Sequence, residues 1–277
     1  MPAPRPSIAD KRRTFRKLHE SGCFLIPNPW DVGSALYLQG LGFKALATTS
    51  SGFAWSQGHS DNSLTRDRVL AHLESMVAAT DVPLNADFEG GFAAQPAGVA
   101  ESVALAARTG VAGLSIEDST GHADRPLYEL DAAVARIRAA RSAIDKAGGD
   151  VLLIGRAECF LVGRPDLNET IGRLKAYAQA GADCLYAPGV KTREHITAVV
   201  QAVAPKPVNM LIGSPSEFTL RDVAALGVRR VSVGGALARS AWGGFLRAAK
   251  QLVDGRFDGF ADAASGGELD RFFSDQD

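Results

Sequence analysis

Eight short apolar runs, an amphipathic segment after each, and no Pro- or Ser-rich linker between them predict an α/β fold for this 277-residue chain, a (β/α)8 or TIM barrel. The runs are 23–27, 44–49, 82–87, 112–117, 151–156, 183–187, 207–211 and 229–233. Each is rich in branched residues, is bounded by glycine or proline, and shows no strict polar alternation. Continuous apolarity marks strands covered on both faces, as in a parallel sheet with helices outside it. Gly42, Gly110, Gly181 and Gly227 stand just ahead of runs, where a helix ends in the left-handed turn that glycine tolerates. Between runs, the segment 131–146 sets Ala132, Ala133, Ile137, Ala140 and Ile144 near one face and Arg136, Arg138 and Arg141 elsewhere on the wheel, a helix with one buried side. A doubly wound open sheet is the alternative. It would carry a phosphate-binding glycine fingerprint after its first strand, where this chain has Asn28-Pro-Trp-Asp31. The chain therefore reads as one barrel domain, 1–277, with a C-terminal helical extension over about 240–277.

Composition narrows the function. With 46% apolar and 22% charged residues the chain is neither disordered nor fibrous. Thirty basic against thirty-one acidic side chains leave a net charge of -1, without the positive field that nucleic acid or an anionic membrane requires. No stretch approaches the roughly 20 apolar residues of a membrane span. The first twenty residues, broken by Lys11, Arg12, Arg13, Arg16 and Lys17, do not read as a signal peptide. Cys23, Cys159 and Cys184 are too few and too separated for a disulfide framework or a structural zinc site. The expectation is a cytoplasmic protein whose partner is a small molecule.

In a barrel of this kind the loops after the strands converge on one mouth, so the residues there carry the chemistry. Those positions hold Asn28, Trp30 and Asp31; Thr49, Ser50, Ser51 and Gly52; Asp87 and Glu89; Glu117 and Asp118; Arg156 and Glu158; Tyr186 and Pro188; Asn209; and Gly234 with Gly235. Carboxylates this close raise each other's pKa unless a cation sits among them. An all-oxygen set points to a hard divalent ion, Mg2+ with Mn2+ as substitute, which takes one or two carboxylates and completes its shell with water and substrate oxygens. Plainer readings stand beside these. Asp87 and Glu89 would serve as helix caps, Arg156 would pair with Glu158, residues 48–52 would be a turn, and Arg229-Arg230 would be solvated charge at a strand edge. Gly234-Gly235 either receives a phosphate or lets the last helix pack close. His122 is the best placed of the lone histidines, and Cys159 reads as a buried thiol. The lysines Lys44 and Lys206 precede strands and so lie on the opposite face, which disfavours Schiff-base chemistry.

The stretches Asn28-Pro-Trp-Asp-Val-Gly-Ser-Ala35, Thr48-Thr-Ser-Ser-Gly52, Gly58-His-Ser-Asp61, Asn85-Ala-Asp-Phe-Glu-Gly-Gly-Phe92, Ser115-Ile-Glu-Asp118, Gly155-Arg-Ala-Glu158 and Ala180-Gly-Ala-Asp183 resemble, in this order and spacing, the isocitrate lyase and phosphoenolpyruvate mutase superfamily. Members cleave or form C–C or P–C bonds next to a 2-oxo acid. The resemblance implies that Asp87 ligates magnesium directly and that Asp61, Glu89 and Glu117 hold its waters. It implies that Ser51, Gly52 and Phe53, with Ser50 beside them, grip the substrate carboxylate and that Arg156 holds a second oxyanion. It also implies a last helix exchanged between subunits, giving a homodimer or homotetramer, with Phe272-Phe273 in the segment 267–277 as part of the interface. The loop after strand four departs from the pattern. The lyases carry a cysteine there and the mutases an asparagine, but this chain reads Ser119-Thr-Gly-His-Ala-Asp-Arg125.

The expected activity is thus a magnesium-dependent lyase that cleaves a C–C bond beside a small 2-oxo acid, oxaloacetate- or methylisocitrate-like, through a metal-stabilised enolate. Protonation falls to His122, Tyr186 or water, and Asn209 is a further candidate for contacting substrate. Alternatives are P–C chemistry of the phosphonopyruvate mutase or hydrolase type, and a non-catalytic 2-oxo acid binding protein.

Overall fold

The computed structural model describes residues 5–274. All eight expected strands form: β1 (Phe24–Ile26), β2 (Leu46–Ala47), β3 (Leu84–Asp87), β4 (Gly113–Glu117), β5 (Leu152–Arg156), β6 (Cys184–Tyr186), β7 (Val208–Leu211) and β8 (Arg230–Ser232). They pair in parallel in the order β1-β8-β7-β6-β5-β4-β3-β2. Among the described residues the ring then closes on a single backbone bond, from the Ala47 N–H to the Pro27 carbonyl at 3.0 Å. Asn28 staples the same seam. Its Oδ1 accepts from the N–H groups of Val233 and Gly234, each at 2.9 Å, and its Nδ2 donates to the Thr48 carbonyl at 2.9 Å.

Helices alternate with the strands: α1 (Ile8–Leu18), α2 (Val32–Gly40), α3 (Ser50–Ser56), α4 (Arg66–Ala79), α5 (Pro96–Arg108), α6 (Leu130–Lys146), α7 (Leu167–Gln179), α8 (Arg193–Val203), α9 (Leu220–Ala225), α10 (Ala236–Val253) and α11 (Gly266–Ser274). Strand pleating splits the core in two. Ile26, Ala47, Leu152, Ile154 and Cys184 pack inside the barrel, while Leu46, Leu84, Leu114, Leu153 and Val231 pack outward against the helices. α1 plugs the floor with Phe15, which is fully buried. The plug is why residue 113 is glycine, since a Cβ there would lie 2.6 Å from Phe15 Cε1.

Two arginines correct the sequence reading. Arg230 is not solvated but buried inside the barrel, its Nε donating to Asn209 Oδ1 at 2.8 Å. On α6, Ala133, Ile137, Ala140 and Ile144 form the buried face as expected, yet Arg136 is buried with them. At the C-terminus, Phe272 and Phe273 pack on α2 of their own chain: Phe272 lies 5.0 Å from the Tyr37 ring and leaves no room for a side chain at Gly40. Residues 275–277 of the segment named for the interface lie outside the described residues. Among the described residues no helix is long and apolar enough to cross a membrane.

Candidate active site

The parity that turns Leu152, Ile154 and Cys184 into the lumen carries Asp87, Glu117, Arg156 and Tyr186 to the C-terminal rim of the barrel. Register then sets them side by side. Asp87 pairs with Ser115, Glu117 with Arg156, and Arg156 with Tyr186.

Arg156 is the hub of this rim. Its Nη1 lies 3.1 Å from Asp87 Oδ1 and 3.4 Å from Glu117 Oε2, and its Nε donates to Glu158 Oε1. The Tyr186 ring packs beneath the guanidinium, its centroid 5.1 Å from Cζ. Asp87 is fixed from the other side as well, its Oδ2 accepting from the Ser50 N–H at 3.1 Å and its own N–H donating to Thr48 Oγ1 at 2.9 Å. The plain pairing of Arg156 with Glu158 and the wider contact with the acids of β3 and β4 are therefore both present.

Glu89 and Asp61 complete the acidic group. Glu89 sits two residues beyond β3 with φ of 49°, a left-handed backbone for a non-glycine residue. Burial pushes its carboxyl up to about 8, with Asp87 and then Asp61 adding to the rise. Asp61 is exposed on the loop between α3 and α4, yet the protein around the mouth disfavours its charged form and raises its pKa, with Asp87 contributing. Glu117 is raised by burial against the pull of Arg156. Burial alone would lower the pKa of Arg156, but Glu158, Glu117 and Asp87 outweigh it and hold the guanidinium charged. Neither Glu89 nor Asp61 has a cationic partner at ion-pair distance among the described residues. Three carboxylates thus share one guanidinium while two more stand nearby without such a partner among the described residues, a donor set that suits a hard divalent cation. Among the described residues no three His, Cys, Asp or Glu side chains converge closely enough to hold an ion by themselves. A cation here would rest on few direct ligands and fill its shell with water or substrate oxygens.

Residues 50–53 are the first turn of α3 rather than a loop. Thr49 caps it, its Oγ1 accepting from the Gly52 N–H at 3.4 Å and its carbonyl from the Phe53 N–H at 3.1 Å. With the Ser50 N–H given to Asp87, Ser51 keeps the one N–H of that turn without a protein acceptor among the described residues. Gly235 packs on this turn, where a Cβ would lie 2.8 Å from Ser51 Oγ, so the close-packing reading of the glycine pair holds there. A cavity of about 680 Å³ opens at the β7 and β8 side of the mouth, with Ser51, Trp55, Asp61, Leu161, Lys191 and Arg239 in its walls, and Asp61 is the one of the five acids that lines it.

The remaining candidates differ in their placement. His122 is exposed on the 119–125 loop, and the structure does not bring it to the acids. Asn209 is buried below the rim with its amide committed, the oxygen to Arg230 and the nitrogen to Ser232 Oγ at 3.0 Å. Tyr186 is buried against Arg156, and burial raises its phenol to about 12. Asp118 faces away from the mouth and braces it from behind. It accepts from the Glu158 N–H at 2.8 Å, from the Tyr177 hydroxyl at 2.5 Å and from Arg173 Nη1 at 3.2 Å. Sequence reasoning missed this brace. Its signal was faint, a Tyr and an Arg four residues apart on one helix face.

Known proteins share this architecture. The family described as phosphoenolpyruvate phosphomutase matches residues 15–253. A solved structure of a putative lyase/mutase from Burkholderia cenocepacia is 49% identical, with a TM-score of 0.93 over 96% of this chain and 97% of that one. The oxaloacetate decarboxylase of Paraburkholderia xenovorans is 29% identical over 80% of this chain and 74% of its own. A structure of oxaloacetate acetylhydrolase with the product oxalate is 26% identical, with a TM-score of 0.85 over 97% and 95% of the two chains. With the acids of β3 and β4 gathered on the β5 arginine inside such a barrel, the chain belongs to the phosphoenolpyruvate mutase and isocitrate lyase superfamily, a group of lyases and mutases.

Proposed function

We propose that this enzyme is a divalent-metal-dependent lyase that cleaves a C–C bond beside a small 2-oxo acid of the oxaloacetate or methylisocitrate type. The observation that carries this reading is the charge imbalance at the rim, where Asp87, Glu117 and Glu158 contact Arg156 and Glu89 and Asp61 stand near them without a cation at ion-pair distance among the described residues. Asp87 would hold Mg2+, or Mn2+ in its place, with Glu89, Glu117 and Asp61 around it. When bound, such an ion supplies Lewis-acid stabilisation for the charge that collects on a keto oxygen, worth several kcal/mol.

The chain's own groups do the rest. Arg156, held charged and aimed by Glu158, orients a substrate oxyanion. The Ser51 N–H receives the substrate carboxylate at the end of the turn formed by Ser50, Ser51, Gly52 and Phe53. Tyr186 keeps its proton at neutral pH and donates it to the carbon or oxygen left by bond cleavage, with His122 acting only if its loop closes over the mouth. Asn209 holds the floor of the site. Without a cysteine in the 119–125 loop, decarboxylation or hydrolytic cleavage of an oxaloacetate-like acid is favoured over isocitrate cleavage. The named activities of the decarboxylase and acetylhydrolase relatives support that substrate class.

The outer face of α10 supports assembly into a homodimer or homotetramer, since Trp242, Phe245, Leu246 and Val253 are exposed there. The free thiols Cys23, Cys159 and Cys184 support a reducing cytoplasm. The test is incubation with oxaloacetate and Mg2+, following pyruvate and oxalate with and without EDTA. Metal-dependent product is expected. No turnover of oxaloacetate or of a 2-methylisocitrate-type acid refutes the reading, and phosphorus NMR of a phosphonopyruvate reaction shows whether P–C chemistry takes its place.

A further inference from the structure

The loop that carries Glu89 is gripped by a buried arginine to which the proposed chemistry gives no part. Arg136, on α6, is 2% exposed. Its Nη2 donates to the Gly90 carbonyl, and its Nη1 donates to the carbonyls of Ala93 and Ala94, the latter at 2.7 Å. Its Nε faces no acceptor, so the planar fork is spent entirely on this loop. No carboxylate stands at ion-pair distance from it among the described residues, and burial lowers its pKa. A cation is costly to bury without a counter-charge, and here three carbonyl dipoles take that place.

The gripped segment is one the chain would not adopt by itself. Glu89, Gly91 and Phe92 have φ of 49°, 75° and 56°, and two of these three are not glycine. The Glu89 carbonyl also accepts from the Glu117 N–H at 3.0 Å, which links the loop to the end of β4. A clamp on residues 90–94 therefore sets where the Glu89 carboxylate stands relative to Glu117 and Asp87. On its other side the guanidinium lies 4.1 Å from the Tyr128 ring centroid. Tyr128 follows the 119–127 loop, and its N–H donates to the Asp118 carbonyl at 2.9 Å. One guanidinium thus touches both the loop that carries Glu89 and the root of the 119–127 loop. Gly90 is matched to it, because a Cβ there would lie 3.0 Å from Nη2.

We propose that Arg136 is a positioning residue that presets Glu89 for the divalent cation and couples its loop to the 119–127 loop. This role rests on the metal reading given above. A lysine at 136 keeps the charge but replaces a rigid fork by a single point donor, so Arg136→Lys loosens the clamp without removing its cation.

The test measures Mn2+ affinity of the full-length protein by electron paramagnetic resonance of the free ion, with thermal denaturation of each variant in parallel. Arg136→Lys and Arg136→Met are expected to bind Mn2+ about 10–100-fold more weakly than wild type, the range seen when groups that orient metal ligands are removed. Gly90→Ala, which pushes on the guanidinium while leaving it in place, is expected to weaken binding to a smaller degree. Folded Arg136→Lys and Gly90→Ala proteins with wild-type Mn2+ affinity overturn the proposal, whatever their thermal stability, because a purely structural clamp lowers stability alone. Should Arg136→Met fail to fold, those two variants decide. Wild-type protein that binds Mn2+, and loses it in Asp87→Asn, keeps the metal reading intact while Arg136 is judged. Wild-type protein that binds no Mn2+ overturns that reading and this role with it.

Discussion

Asp118→Ala removes a carboxylate on which three buried donors converge, and the structure sets the size of the loss. Arg173 retains Glu169 Oε1, at 3.1 and 2.9 Å, and the Tyr128 carbonyl at 2.9 Å, so it is not stranded. The Tyr177 hydroxyl and the Glu158 N–H have no second acceptor among the described residues. Because Arg173 keeps Glu169, the penalty for stranding a buried charge does not apply. The two orphaned donors cost about 1–3 kcal/mol each, about 2–6 kcal/mol together. Against this, burial already disfavours the Asp118 carboxylate, as its raised pKa records, so deleting it returns part of the loss. The expected net destabilisation is about 3–4 kcal/mol. That lowers the melting temperature by roughly 6–12 °C in a chain of this size. Asp118→Asn keeps the shape and one acceptor and is expected to cost about 1–2 kcal/mol. Urea denaturation followed by far-ultraviolet circular dichroism reads the difference as a shift of midpoint at constant slope. An alanine variant within about 0.5 kcal/mol of wild type refutes the account of Asp118 as a brace.

Glu89 gives a pH-dependent counterpart. Its carboxyl titrates at about 8 in the folded chain against 4.5 ordinarily, so between those values the folded state holds a proton that the unfolded chain has released. Stability contributed by this residue therefore falls as pH rises through that window, and in EDTA the urea midpoint of Glu89→Gln should decline less with pH than that of wild type. Parallel curves refute it. Gly235→Ala would set a Cβ 2.8 Å from Ser51 Oγ and 3.3 Å from the Trp55 ring. It should raise KM through the displaced Ser51 turn with little change in kcat, and a fall in kcat at unchanged KM refutes that assignment.

The strands were legible because a parallel barrel buries both faces of each, which leaves continuous apolar runs that no surface segment imitates. The acids at the mouth were legible for a related reason: Asp87, Glu117 and Arg156 each end such a run, and strand ends converge. What escaped is burial imposed by partners remote in sequence. A helical wheel assigns an arginine to solvent, but Arg136 is covered by the loop after β3, whose carbonyls supply its acceptors. Arg230 lies inside the barrel because its strand register puts it next to Asn209, a contact that hydropathy does not encode. Residues 48–52 read as a turn because serine and glycine disfavour helix, whereas the Thr49 cap and packing under Gly235 override that propensity and start α3 at Ser50.

The way the barrel closes has a mechanical consequence. Seven neighbouring strand pairs share ladders, but the eighth junction depends on the amide of Ala47 and the side chain of Asn28. A cylinder fastened so lightly at one joint opens there first when strained, and the Ala47 amide should exchange its hydrogen ahead of those in the central strands. The chain leaves that joint through Thr48 and Thr49 straight into the first turn of α3, so the weak joint of the molecule and the turn proposed to hold the substrate carboxylate are neighbours along the backbone. On the proposed function, stiffness of the cylinder and hold on the ligand are in this way one property.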